Sequence, residues 1–145
     1  MKKLILTTLL AAAIAFGQSD GAKQGKKQAS QAKVLTRAEI EELLSKPDQV
    51  LIIDVRRPDE VKDIGGFPVY LSIQINDLEN RLAYIPKDRT IIALSNHAAR
   101  GARAADILSK AGFHVAGAAG AEDYEAQGGT LTKIAPPAPK AEAKK

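Results

Sequence analysis

Thr90-Ile91-Ile92-Ala93-Leu94-Ser95-Asn96-His97-Ala98-Ala99-Arg100-Gly101-Ala102-Arg103-Ala104-Ala105 is the stretch on which the fold turns. Its first five residues form a short β-branched and apolar run, the kind that makes a strand buried on both faces of a parallel sheet. A polar loop follows. From about residue 100 to 111 the apolar residues recur at helical spacing, with Ala104, Ile107 and Leu108 inward. Gly112 stands where a helix wants a left-handed residue to end it. The unit reads as strand, loop, helix.

The same alternation extends outward. Thr36-Arg37-Ala38-Glu39 is a capping box, and Ile40, Leu43 and Leu44 continue it as a helix that Lys46-Pro47 stops. Residues 50–55 (VLIIDV) are a nearly continuous apolar run and a first strand; residues 69–75 (VYLSIQI) are a second candidate. Asn76 or Asp77 can cap a helix through Leu78, Leu82 and Ile85, closed by Pro86. Residues 113–116 make a short fourth strand, and 122–127 a last helical turn before Gly128-Gly129. Strands separated by helix-length segments specify a single α/β domain, a parallel sheet with helices on both faces. Ligands of such sheets sit beyond the carboxyl ends of the strands. The loops after Val55, Leu94 and Ala116 are therefore the candidate site.

The ends read differently. Lys2 and Lys3 precede an apolar run over residues 4–16 that exits through small residues, which fits a secretory signal peptide over 1–17 better than a buried N-terminal helix. Cleavage after Gly17 or after Ala15 satisfies the small-residue rule, and the run falls short of the roughly 20 residues a stable membrane span needs. The mature protein is expected to be periplasmic or secreted. Residues 18–33 (QSDGAKQGKKQASQAK) hold no aromatic or branched aliphatic side chain and read as a flexible linker. The domain is expected over 34–134, with 135–145 (APPAPKAEAKK) as a disordered Pro/Ala/Lys tail.

The 145 residues carry a net charge of +4, but residues 34–132 hold 11 basic against 15 acidic side chains. The positive charge belongs to the ends and the domain is acidic, which argues against a nucleic-acid partner. The chain has no cysteine and two histidines, which excludes disulfides, thiolate metal sites and thiol nucleophiles and leaves little for a histidine metal centre. No metal or other cofactor is expected.

Ser95, Asn96, His97, Ala98, Ala99 and Arg100 form the loop of interest. Backbone N–H groups at a helix start are unpaired and carry the positive end of the dipole, so the loop can cradle an anion, and Arg100 can add a charged fork. A plainer reading makes Ser95 or Asn96 an N-cap.

On these residues the sequence resembles the rhodanese-like family, from Val34 to about Ile134. Leu51 to Glu60 is similar to that family's strand and Asp-Val-Arg-x-Pro-x-Glu signature, and Gly65-Gly66-Phe67-Pro68 stands at its Gly-His-Ile-Pro element. Ser95 to Ala105 matches Cys-x-x-Gly-x-Arg-Ser-x-x-Ala-Ala. Phe113 to Val115, Ala119-Gly120, Tyr124 and Gly128 follow its closing elements. The resemblance implies a loop cysteine that carries sulfur as a persulfide, and that position holds Ser95. A serine hydroxyl is a poor nucleophile without a base and cannot store sulfur. Ala98 adds a Cβ where the family's loop has glycine, and the histidine of the Gly-His-Ile-Pro element is absent.

The expectation is an exported rhodanese-like protein that leans away from catalysis: a pseudoenzyme that binds a small oxyanion, a sulfur compound or a protein partner. Asp54 and Arg56, in the signature segment, are expected to support the loop; as residues alone they suggest local hydrogen bonding and an ion pair with Glu60. The alternative is an enzyme, either sulfurtransferase-like or a weak serine hydrolase using His97 beside Ser95. Residues two apart in a tight loop rarely bring imidazole and hydroxyl into line. His114 is expected to pack or to face solvent. A domain kept purely as a scaffold is the third reading. Ser95→Cys is expected to restore some sulfur transfer if the loop keeps the family's shape.

Overall fold

The computed structural model describes residues 29–133, so the signal-peptide reading, most of the linker and the tail lie outside the described residues. The elements run β1 Val50–Asp54, β2 Leu71–Ser72, β3 Thr90–Ser95 and β4 Val115–Gly120, with helices α1 Arg37–Leu44, α2 Pro58–Ile64, α3 Leu78–Arg81, α4 Ala98–Lys110 and α5 Ala121–Ala126. All strand pairs are parallel and the order is β2-β1-β3-β4. The expected α/β class, a parallel sheet covered on both faces, is what forms. One face packs Ile40, Val50, Ile52, Ile92, Leu94, Phe67 and Tyr124, with α1 and α5. The other packs Ile53, Val55, Ile91 and Ala93 against Leu78, Ala104, Ala105 and Leu108 of α3 and α4. Alternate strand residues serve opposite layers, which is why these strands read as unbroken apolar runs.

Several boundaries differ from expectation, each for a local reason. The strand expected over 69–75 is only Leu71–Ser72. Val69 is 80% exposed, and Ile73 and Ile75 still donate to Asp54 and Val55 carbonyls as the chain leaves the sheet. Asp77 precedes α3 without a side-chain cap, and residues 82–84 continue as a 3-10 turn. The fourth strand begins later and runs further than 113–116: Gly117 to Gly120 have poor strand propensity but are enclosed by the sheet and its helices, and tertiary packing decides. Helix α4 begins at Ala98, before Arg100, and Gly112 follows it with φ of +82°. Helix α2 was not expected. Pro58 opens it and Glu60 accepts from the Arg57 N–H at 2.9 Å, a start signal carried by only two apolar residues, Val61 and Ile64.

The expected linker is not free at its end. Ala118 donates to the Lys33 carbonyl at 2.7 Å and Leu35 to the Ala118 carbonyl at 2.8 Å, while the Ser30 hydroxyl reaches the Ala102 carbonyl at 3.0 Å. Among the described residues no helix is long and apolar enough to cross a membrane.

Register sets the site. Asp54 stands opposite Leu94, and Ser95 opposite Gly120, so the carboxyl ends of β1, β3 and β4 lie side by side and the segments that follow them converge.

Candidate functional site

The loop over 95–100 begins inside the protein. Ser95 is fully buried; its Oγ accepts from the Gly101 N–H at 2.8 Å and donates to the His97 carbonyl. Gly101 allows this close approach, because a Cβ there would stand 2.6 Å from the Ala93 carbonyl oxygen. Asn96 donates through Nδ2 to Glu60 Oε1 at 2.9 Å, and its carbonyl accepts from the Glu122 N–H at 3.0 Å. His97 is the N-cap residue of α4 but caps nothing with its ring. The ring is exposed, with Nδ1 3.0 Å from Asp123 Oδ1 and Nε2 3.1 Å from Glu122 Oε2. The hydrogen bond with Asp123, then the charge of Glu122, raises the His97 pKa above its ordinary value. Ala98 is buried and donates its N–H to Asp123 Oδ2 at 3.0 Å, while Ala99 is exposed.

Arg100 spends its fork inside the molecule. Nη2 meets Glu60 Oε1 at 2.7 Å and Nη1 meets Oε2 at 3.1 Å. With the donors from Asn96 and the Arg57 N–H, the Glu60 carboxylate accepts four hydrogen bonds. The bond with Arg100 above all holds the Glu60 pKa below the usual carboxylate range.

Asp54 and Arg56 are both fully buried and pair with each other rather than with Glu60. Arg56 Nε and Nη2 fork onto Asp54 at 2.9 and 2.7 Å, the Arg56 N–H reaches Oδ1 at 3.1 Å, and Nη2 also donates to the Gly65 carbonyl at 2.9 Å. The ion pair expected between Arg56 and Glu60 is therefore corrected: α2 turns Glu60 toward the loop, and its cationic partner there is Arg100. Asp54 and Arg56 tie the end of β1 to the turn after α2, while Glu60 from the first turn of α2 reaches the loop.

The serine–histidine pair does not assemble. Ser95 Oγ bonds the backbone of His97, while both ring nitrogens face carboxylates of α5. Among the described residues Ser95 thus has no adjacent base to activate its hydroxyl. His114 is exposed, and its carbonyl accepts from the Ile91 N–H at 2.7 Å.

What sequence reasoning missed is that carboxylates close the loop: Glu60 was paired with the wrong segment and Asp123 was not singled out. Glu60 carried a signal, since it ends the Asp-Val-Arg-x-Pro-x-Glu segment. Asp123 carried none beyond the general preference for acids in a first helical turn, because the amide it takes belongs to another helix. Gly120 makes that reach possible: a Cβ there would lie 2.0 Å from Asp123 Oδ2.

The architecture has relatives. A rhodanese-related protein from Thermoplasma volcanium is 20% identical with a TM-score of 0.61, over 69% of this chain and 97% of its own. Thiosulfate sulfurtransferase from Pseudomonas aeruginosa is 24% identical with a TM-score of 0.62, over 70% of this chain but only 20% of that longer one. A rhodanese-like domain protein from Staphylococcus aureus is 22% identical with a TM-score of 0.58, over 71% of this chain and 99% of its own. No curated protein matches the chain. At such identities the structures show a shared fold. The family model for the rhodanese-like domain matches residues 36–120, well over half of the sequence, and the chain belongs to the rhodanese-like domain family.

Proposed function

We propose that this protein is an exported rhodanese-like module that performs no sulfur transfer and acts by binding at the face formed by residues 95–100. Export rests on the n-region, apolar run and small-residue exit of residues 1–17, which support a mature chain in the periplasm or outside the cell. The observation that carries the silent reading is Ser95. It stands where the family resemblance implies the sulfur-carrying cysteine, it is fully buried, and its hydroxyl is committed to two backbone groups. No cysteine elsewhere in the sequence can take over. The loop keeps a helix start that suits a small oxyanion or sulfur compound, and an exposed rim around His97 on which a protein partner can sit.

The test is thiosulfate:cyanide transfer by the purified mature chain. Thiocyanate formation is expected to stay at the blank rate in both the parent and Ser95→Ala. Formation above the blank that vanishes in Ser95→Ala would overturn the silent reading.

A further inference from the structure

We propose that the cleft at the open edge of β2 is a second binding site, and that it takes a short extended peptide with free amino and carboxyl termini. The site is separate from the face at residues 95–100, because β2 lies at the outer edge of the sheet, two strands from β3.

The cleft holds about 290 Å³, close to the lower bound of roughly 300 Å³ for small-molecule pockets. Residues 71–74 line it together with Asp77, Arg81 and Tyr84. Its backbone wall follows from how the chain leaves the sheet. Ile73 donates to the Asp54 carbonyl and Ile75 to that of Val55. Backbone groups alternate sides along a parallel strand, so the Ser72 N–H and C=O and the Gln74 N–H turn away from β1 to the open edge. Among the described residues no strand covers them. Leu71–Ser72 is too short to receive a strand of another protein, but this trio is what one residue of an extended peptide pairs with.

The side chains supply opposite charges that are not spent on each other. Asp77 and Arg81 are four residues apart, the spacing at which Arg37 and Glu41 of α1 close an ion pair at 2.6 Å. Asp77 and Arg81 both line the cleft, and among the described residues neither is taken up by an ion pair or a side-chain hydrogen bond. Arg100 at the other face, by contrast, is held by Glu60. The ammonium and carboxylate at the two ends of a short peptide match the open pair in sign. Tyr84 is 74% exposed and Leu71 half-buried at the same cleft, so an apolar side chain of the peptide has a surface to cover. Backbone donors and acceptor, two unpaired charges and an exposed ring thus meet in one place.

The experiment is a titration of amide resonances with the dipeptide alanyl-leucine, its C-terminal amide and its N-acetyl derivative, at pH 7 and constant ionic strength. It is run on the purified mature chain, Arg81→Gln and Asp77→Asn. Both side chains are exposed, so an unchanged spectrum away from residues 69–85 is expected and reports an intact fold. Saturable shifts of the Ser72 and Gln74 amides are expected in the parent with alanyl-leucine. Arg81→Gln is expected to weaken that binding about three- to tenfold and to leave binding of the C-terminal amide unchanged. Asp77→Asn is expected to weaken it by a similar factor and to leave binding of the N-acetyl derivative unchanged. Absence of saturable shifts at the cleft, shifts confined to residues 95–101, or equal affinities for all three peptides in parent and variants would each overturn the proposal. Each of these results leaves the reading of residues 95–100 as a binding face standing.

Discussion

At Ser95 one hydroxyl serves two backbone groups, the Gly101 N–H and the His97 carbonyl, on a residue closed to solvent. Ser95→Ala leaves both unpaired, and a urea titration is expected to show a loss of about 1–3 kcal/mol. Ser95→Cys places a larger atom where Gly101 N stands 2.8 Å from the present oxygen, and a thiol enclosed this way is inert. Sequence reasoning leads to restored sulfur transfer in that variant if the loop keeps the family's shape; burial reverses the expectation. Labelling by an aromatic disulfide reagent should be far slower in the native variant than in urea, with no thiocyanate produced. Labelling at the unfolded rate would show an open site instead. Glu60 makes the complementary case. Its pKa is held down by Arg100, so its contribution to stability is present above the carboxylate's unfolded pKa and is lost as pH falls through the folded one. Glu60→Gln is expected to cost about 1–3 kcal/mol near pH 7 and to flatten the acid side of the stability profile, measured by urea midpoints across pH. The sequence marked Ser95 and Arg100 by position; the neighbour that fixes Ser95, Gly101, lies in the same motif, whereas the one that fixes Arg100, Glu60, is forty residues away and was visible only through its signature segment.

Among the elements, the joint between the loop and α5 is held by a titrating imidazole. His97 lies between Asp123 and Glu122, and its raised pKa means that protonation strengthens the joint. The stabilisation is therefore fully present below the imidazole's unfolded pKa and disappears as pH rises through the folded value. Imidazole resonances of His97 should titrate at higher pH than those of an unfolded-chain reference, and Asp123→Asn should move the midpoint back toward it. A midpoint unchanged by that substitution would mean the joint is absent in solution. Packing of α4 on the sheet offers a second check. Gly101→Ala drives a methyl to 2.6 Å from the Ala93 carbonyl oxygen, and despite alanine's better helix propensity of about 1 kcal/mol a net loss of about 1–3 kcal/mol is expected in a thermal or urea melt. Strands β1 and β3 were legible because burial on both faces leaves an unbroken apolar run, and α1 because its capping box is a local signal. The far end of β4 and helix α2 were not, since Gly117 to Gly120 become strand only through their neighbours and α2 has too few apolar residues to show a period.

On the scale of the whole molecule the sheet has two edges, and the chain treats them differently. Among the described residues the edge at β2 pairs only with β1, and Leu71–Ser72 is too short to offer much of a template to another chain. The edge at β4 is covered by residues that sequence composition assigned to a linker. Polar and small side chains gave no reason to expect burial in residues 30–33, because what holds them is mainly backbone: Lys33, with Leu35 of the domain, brackets Ala118 with two hydrogen bonds, Ser30 reaches Ala102, and Ala32 lies against the α4 layer. Backbone pairing of this kind leaves no mark in composition. The covering strap should be measurable by comparing a chain that starts at Ala29 with one that starts at Val34. The shorter chain loses the Lys33 carbonyl and the Ser30 hydroxyl but keeps the Leu35 bond, so a loss of about 1–3 kcal/mol is expected from two hydrogen bonds at about 0.5–1.5 kcal/mol each. Hydrogen exchange separates a local from a global effect. The Ala118 amide should lose protection in the shorter chain by more than the drop in overall stability explains, while the Ala93 amide inside the sheet follows that drop alone. Equal protection of Ala118 in the two chains would mean that residues 29–33 do not bind the edge in solution, and the domain would then begin at Val34, as composition alone suggests.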